Sequence, residues 1–271
     1  MTKISELTYE IMPCFLQNIL ISCYGEKIKM QRFNKRFFYY FDIFDKIQYS
    51  SIDELISFQN QKLRQLINHV YYNVPFYRNI FNERKLVPSD IKCRDDLYKL
   101  PIITKRDIKN NFPDFISKDK SINNLKKGHT SGTTGSPFEL LWDHNIGIVN
   151  NAVLWQYRSW GGFKFGMKYA TLLGRTIVPL KQQKKPFYRI NYPWKQYLFS
   201  SFHLTPQNIE SYFDELDKND IHILEAYPST AYILARYLEH NNLFYKMNAV
   251  FTSSETLLPL QRELIEYRFQ C

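Results

Sequence analysis

The sequence predicts an α/β fold: a mostly parallel sheet flanked by helices and preceded by a helical extension. One observation predicts the sheet and another the extension. From residue 205 onward, short apolar segments alternate with amphipathic helical patterns. This alternation is typical of parallel strands whose two faces are covered by helices. The first 50 residues contain aromatic and basic stretches typical of one or two helices.

Four segments have the length and apolar content of single strands. They are FELLWD at 138–143, MKYATLLG at 167–174, IHILEA at 221–226 and NAVFTSS at 248–254. Strands buried on both faces are close to continuously apolar, as the last three segments are. Their order along the chain, each separated from the next by a helical pattern, predicts a sheet whose neighbouring strands run in parallel.

The helices are predicted from apolar residues that recur every three or four positions. One helix begins near Asp53 and ends before Pro75, because proline cannot continue a helix. Further helices are predicted at 77–81, from Lys105, at 150–160, from 205, from 229 and at 258–269. Hydroxyl residues at three of these starts are candidate N-caps: Thr104, Thr205 and Ser229.

The chain has 271 residues and a net charge of +10, and its positive charge is unevenly distributed. Residues 161–200 contain eight Lys or Arg and no Asp or Glu. Such a segment attracts anions: nucleotide phosphates, an anionic membrane face or nucleic acid. The alternative is a solvated loop with a basic bias. No nucleic-acid-binding motif is present, so no nucleic-acid partner is expected.

The cysteine pattern and the N-terminal region predict a cytoplasmic protein. The four cysteines form no CxxC pair, and no signal peptide precedes the first helix, so reduced thiols are expected. The apolar run Ile11–Tyr24 is interrupted by Gln17 and Asn18 and is too short to span a bilayer. Two alternatives remain open for it: packing on the domain, or peripheral contact with a membrane surface.

The stretch GHTSGTTGSP, residues 128–137, contains three glycines and five hydroxyl residues. Glycine allows backbone N–H groups to converge on one point, and hydroxyls donate to phosphate oxygens. A slack linker is the alternative, but threonine is β-branched and stiffens a chain. The stretch lacks the lysine of a GxxxxGK[ST] loop, so it is not a P-loop of that kind.

TSGTTG followed by Ser136–Pro137 resembles the phosphate-loop signature of adenylate-forming (AMP-binding) enzymes. NHVYYNVPFYRNIF, SDIKCRDDLYKLPIITKRDIKNNFP, EAYPST and FTSSETLLPLQRELIEYRF occur in the order seen in the phenylacetate–CoA ligase family. The N-terminal IMPCFLQNILISCYG resembles the CapK-type branch, which is associated with capsular polysaccharide biosynthesis. The resemblance is weakest at 175–200.

The resemblance implies an ATP-dependent, AMP-forming ligase that activates a small carboxylate, with Mg²⁺ as cofactor and coenzyme A as an allowed acceptor. It places the β- and γ-phosphates on Thr130, Ser131, Gly132, Thr133, Thr134 and Gly135. It places the adenine and acyl groups against Ser253, Ser254 and Glu255. His129 is a candidate phosphate or acyl contact. For Glu255 the alternative is a carboxylate in the first turn of the last helix, and for His129 it is a surface histidine.

Departures from the family pattern lead to further expectations. Phe138 stands where many relatives have lysine, and the Tyr-Gly-x-Thr-Glu motif and the C-terminal lysine are not found. Catalytic residues are therefore unassigned, and the sequence leaves open whether this chain is itself an enzyme.

Residues 1–50 are expected to form the extension. Residues 51–271 are expected to form part of the large domain, truncated at its C-terminal end and, alone, inactive or weakly active. Two alternatives remain: half of a split ligase with a separately encoded partner, and a non-catalytic basic module for a membrane or another anion.

Overall fold

The computed structural model describes residues 8–129 and 138–271. Its helices are α1 (Cys14–Arg32), α2 (Lys35–Ile47), α3 (Ile52–Asn73), α4 (Pro75–Glu83), α5 (Lys105–Asn110), α6 (His144–Trp160), α7 (Glu210–Lys218), α8 (Pro228–His240) and α9 (Pro259–Phe269). Its strands are β1 (Lys126–His129), β2 (Glu139–Trp142), β3 (Tyr169–Leu172), β4 (Tyr188–Asn191), β5 (Gln196–Phe199), β6 (Ile223–Ala226) and β7 (Ala249–Thr252). The chain forms two compact units, 36–152 and a second that joins 1–35 to 153–271.

The second unit is built on a five-stranded sheet in the order β4-β5-β3-β6-β7. β3 pairs in parallel with β5 and with β6, and β6 pairs in parallel with β7. Only the pairing of β4 with β5 is antiparallel. This sheet confirms the predicted α/β class, and every residue of β3 is buried, as expected of a central strand.

The core of this unit forms where helices cover the sheet. Leu172 of β3 and Leu224 of β6 are almost fully buried, and Leu234 of α8 and Phe269 of α9 belong to the same cluster. The apolar stripes predicted for these helices are therefore the faces that pack on the sheet. Burying a leucine side chain contributes about 1.5–3 kcal/mol, so such contacts are a major source of the unit's stability.

Helix α1 packs against the edge strand β4 through polar side chains. The Ile190 N–H donates to Asn18 Oδ1 at 2.9 Å, and the Tyr192 N–H, just beyond the strand, donates to Ser22 Oγ at 3.1 Å. Ser22 Oγ also lies 3.3 Å from the Ile190 carbonyl oxygen, to which it donates. These side chains thus satisfy backbone groups that the edge of a sheet would otherwise leave unpaired.

The unit of residues 36–152 is mainly helical. α3 begins with a capping box in which Ser51 and Glu54 satisfy each other's backbone N–H groups. Ile67, Phe81 and Ile91 form its small buried core. α5 begins after Thr104, whose side chain accepts from the Asp107 N–H as predicted. β1 and β2 form an antiparallel hairpin.

Two predicted caps are wrong. The helix expected from Thr205 begins only at Glu210, because residues 206–209 form turns. α8 has Tyr227 as its N-cap, and Ser229 lies inside the first turn, where its side chain contacts another segment. α6 also begins at His144, earlier than the predicted 150. β1, β4 and β5 were not predicted.

Candidate functional site

The carboxyl ends of three parallel strands meet at one edge of the five-stranded sheet. Gly174 follows β3, Tyr227 follows β6, and Ser253 follows β7. The Ala226–Thr252 pairing places the ends of β6 and β7 side by side. In open α/β sheets, ligands bind outside this edge. The edge therefore brings together the segment predicted to bind nucleotide and the start of α8.

Glu255 joins the end of β7 to the start of α8. Its Oε2 accepts the Ser229 backbone N–H at 3.0 Å, and its Oε1 accepts the Ser229 hydroxyl at 3.0 Å. A carboxylate at a helix N-terminus is stabilised by the helix dipole and by unpaired N–H groups. Of the two alternatives, a carboxylate in the first turn of the last helix is wrong: α9 has no acidic residue in its first turn. Glu255 binds the first turn of α8 instead.

Ser254 has a left-handed backbone conformation, with φ of 68°. This conformation is uncommon for residues other than glycine, asparagine and aspartate. The Ser253 N–H donates to the Ala226 carbonyl oxygen at 3.4 Å, which extends the pairing of β6 with β7 by one bond. Ser253, Ser254 and Glu255 are all exposed, so their polar groups can reach a ligand at this edge.

Close packing fixes the neighbouring strand end. The Thr230 hydroxyl lies 3.0 Å from both the Leu172 and the Tyr227 carbonyl oxygens, which links β3 to the start of α8. Gly174 lies against the Tyr227 ring, where an added Cβ would be 3.0 Å from a ring carbon. A side chain at position 174 would therefore displace the tyrosine ring.

A buried ion pair joins Arg158 of α6 to Glu225 of β6 and was not predicted. The guanidinium of Arg158 is 2.5 Å from a Glu225 carboxylate oxygen, and the two side chains are 8% and 15% exposed. Burial raises the pKa of Glu225, and the attraction of Arg158 opposes that rise. The signal in the sequence was a single glutamate within the apolar segment IHILEA. Arg158 also stacks over the Trp155 ring at 4.6 Å.

The hairpin of β1 and β2 holds the two ends of the glycine-rich stretch. His129 pairs with Glu139, so the chain leaves β1 and returns to β2 at adjacent positions. Gly128 faces the Trp142 ring, and any Cβ there would overlap that ring. The predicted phosphate-binding residues 130–135 lie outside the described residues. His129 is exposed at the end of β1.

Within 8–129 and 138–271, no group of three or more His, Cys, Asp or Glu is arranged to hold a metal ion. Among the helices in that part of the chain, none combines the length and apolarity needed to cross a membrane.

Known proteins resemble the chain over nearly its whole length. Protein CapK of Staphylococcus aureus is 32% identical over 265 residues, which are 97% of this chain and 57% of CapK. The phenylacetate–coenzyme A ligase of Escherichia coli K12 is 36% identical over 155 residues, half of this chain and 35% of the ligase. The chain is therefore similar to proteins of the phenylacetate–CoA ligase family. No protein-family model matches it.

Solved structures agree with this family on the fold. A 2-hydroxyisobutyryl-CoA ligase in complex with 2-HIB-AMP and CoA matches 81% of this chain with a TM-score of 0.54 and 18% identity. An open conformation of the same ligase gives a TM-score of 0.55. The chain covers 48% and 52% of these two structures. The chain therefore spans about half the length of the proteins it resembles.

The predicted site residues fall into two groups. Ser253, Ser254 and Glu255 lie together at the carboxyl edge of the parallel sheet, and Ser229, which was predicted to be a helix cap, is the partner of Glu255. His129 lies at the end of the β1–β2 hairpin. Their roles in binding a ligand stay predictions.

Proposed function

We propose that this chain provides part of the ATP site of an adenylate-forming ligase that activates a small carboxylate. The observation that carries the proposal is the position of Ser253, Ser254 and Glu255 at the carboxyl edge of the parallel sheet. The same chain contains a phosphate-loop signature and is 32% identical to CapK. On this proposal, the ligase serves capsule or other surface-polysaccharide biosynthesis and is cytoplasmic.

The proposed reaction has two steps. A carboxylate oxygen of the substrate bonds to the α-phosphorus of ATP, and pyrophosphate leaves. A thiol, for which coenzyme A is the proposed donor, then takes the acyl group and AMP leaves. The first step requires that negative charge on the phosphates be offset and that the attacking oxygen be held in line.

The residues of the chain fit a nucleotide. Residues 130–135 supply glycine N–H groups and hydroxyls that suit the β- and γ-phosphates. The exposed hydroxyls of Ser253 and Ser254 can donate to or accept from the polar groups of adenosine. Glu255, held by Ser229, keeps the segment after β7 in place. Mg²⁺ would offset phosphate charge when bound, and we assign no residue to it.

Nucleotide binding by the chain tests this proposal. Replacing Thr133 and Thr134 with alanine removes two hydroxyls from the glycine-rich stretch. We expect this double variant to bind ATP roughly tenfold more weakly than the wild type, the loss of about one net hydrogen bond. Isothermal titration calorimetry measures the change. Ser121→Ala, at an exposed serine that makes no capping bond, is the matched control.

The proposal fails if the wild type binds no ATP or if the control weakens binding as much as the double variant.

Activation itself is tested by carboxylate-dependent exchange of labelled pyrophosphate into ATP. The expectation that the 271-residue chain turns over poorly on its own stays a prediction, and acyl-adenylate formation by the purified chain would contradict it. If acyl-adenylate formation rises when the chain is mixed with a separately encoded partner, the split-ligase alternative is supported.

A further inference from the structure

Helix α1 has its polar residues inside and its apolar residues outside. Gln17 is 1% exposed and Asn18 is also buried, whereas Phe15 is 62% exposed. The exposed apolar side chains recur at helical spacing and form a surface that we call the outer face of α1: Phe15, Leu16, Ile19, Leu20, Cys23 and Met30. A helix on a water-soluble domain normally has the opposite arrangement.

The inner face of α1 is polar because it packs on a strand edge. Asn18 and Ser22 bind backbone groups of β4 and of the residue just after it. Gln17 Oε1 accepts from the Nε of Arg189, which is itself 1% exposed. These hydrogen bonds therefore use none of the outer-face side chains. A contiguous apolar surface of this kind marks a site of interaction.

Positive charge lies in the loop of residues 181–185, which is linked to the inner face of α1 through Arg189. Arg189, which binds Gln17, also donates to Gln182 Oε1 at 2.7 Å, so residues 181–185 are connected to the N-terminal half of α1. The three lysines of that loop are exposed, and no ion pair involves them in the described part of the chain: Lys181, Lys184 and Lys185. Lys27 is exposed on α1 itself.

We propose that the outer face of α1 and the lysines of residues 181–185 bind the surface of an anionic lipid membrane. The helix would lie in the plane of the interface, with its apolar side chains at the boundary between headgroups and acyl chains. The lysines would contact anionic headgroups. Charge favours this occupant over a second copy, because another copy brings the same +10 net charge.

Vesicle binding tests the apolar part of the proposal. We expect the full chain to co-sediment with vesicles of phosphatidylglycerol and phosphatidylcholine and not with phosphatidylcholine alone. Ile19→Glu with Leu20→Glu should weaken binding at least a hundredfold. Leu260→Glu, at an exposed leucine of α9, is the matched control and should leave binding within twofold. Unchanged circular dichroism and Tm show that each variant is folded.

Charge reversal tests the electrostatic part. Lys181→Glu, Lys184→Glu and Lys185→Glu together should weaken binding by at least roughly a hundredfold, because the loss of each lysine costs about fivefold. Added salt should weaken wild-type binding as well. The control changes the net charge equally at three exposed lysines of the other unit: Lys62, Lys85 and Lys92.

The thiol of Cys23 reports on the face directly, since it is exposed there. Maleimide labelling of Cys23, located by peptide mass, should be fast in the free protein and slow with anionic vesicles. The proposal is overturned by absent vesicle binding, or by controls that lower binding as much as the test variants. Slow labelling without lipid, or a dimer that Ile19→Glu with Leu20→Glu dissociates, would assign the face to another protein segment and also overturn it.

Discussion

At the scale of single residues, Glu225 is a charged group with little exposure to solvent. It lies within a buried strand, and Arg158 compensates its charge at 2.5 Å. Burial also raises the pKa of Tyr169, and the nearby Glu225 adds to that rise. A buried ion pair adds little net stability, but removal of one partner leaves the other uncompensated.

We therefore expect Arg158→Met to lower the free energy of unfolding by about 3–5 kcal/mol at neutral pH. Without Arg158, burial raises the pKa of Glu225 further, so the folded state retains a proton that the unfolded state releases. Stability of this variant should fall as pH rises from the ordinary carboxyl range through the raised pKa of the folded state. Urea unfolding across that range measures the slope. Arg158→Met with Glu225→Gln should show no such slope.

Glu255 differs from Glu225 because its side chain is exposed. Glu255→Gln keeps the shape of the side chain but replaces one acceptor with an amide donor facing Ser229. We expect stability to change by less than about 1 kcal/mol, because exposed charged contacts contribute little. The free energy of ATP binding should weaken by more than the free energy of unfolding changes. Glu266→Gln, which breaks an exposed pair with Arg262, is the control and should leave ATP affinity unchanged.

The sequence predicted part of this site. The segment Ser253–Glu255 was placed at a strand end because an apolar run precedes it, and the structure has β7 there. The contact of Glu255 with Ser229 joins residues 26 positions apart, and no local pattern encodes such a pairing. The interpretation of Ser229 as a cap was wrong for the same reason: its hydroxyl binds a distant carboxylate.

At the scale of elements, two glycines in helices have opposite surroundings. Gly25 of α1 lies against the side chain of Asn191, which an added Cβ would overlap. Gly147 of α6 has open space where a Cβ would be. Glycine within a helix costs about 0.5–1 kcal/mol relative to alanine. Alanine substitutions at the two positions therefore distinguish the effect of helix propensity on stability from the effect of packing.

Gly147→Ala should raise the free energy of unfolding by about 0.5–1 kcal/mol. Gly25→Ala should lower it by about 1–3 kcal/mol, because the contact between α1 and the buried Asn191 must open. Thermal unfolding of both variants measures the difference. A Gly25→Ala variant that is as stable as Gly147→Ala would show that Asn191 can move away at little cost.

Sequence patterns predicted the strands that contain a nearly continuous apolar run. β3, β6 and β7 lie within the predicted segments. β4 contains two buried polar residues, Arg189 and Asn191. Arg189 pairs with Gln17 of α1, and Asn191 lies against Gly25 of the same helix. The sequence of this strand therefore lacks an apolar pattern. β1 is KKGH and contains no apolar residue apart from glycine. These strands depend on their partners, which a local pattern does not reveal.

At the scale of the whole molecule, each of the two compact units has a buried apolar cluster among the residues that the structure describes. Leu234 belongs to the core of the unit that contains the five-stranded sheet, and Ile91 belongs to that of residues 36–152. Replacing either with alanine should cost about 2–5 kcal/mol. We expect native-state hydrogen exchange to accelerate mainly in the unit that carries the substitution. Equal acceleration in both units would favour the single domain predicted for residues 51–271.

The contacts between α1 and β4 have a consequence for handling the protein. Side chains of α1 occupy hydrogen-bonding groups on the outer edge of β4 that a further strand would otherwise use. A version lacking α1 would present this edge as a template for strands from other molecules. Such a deletion would promote intermolecular β-pairing and aggregation, so any shortened form made for crystallisation should keep residues 14–32.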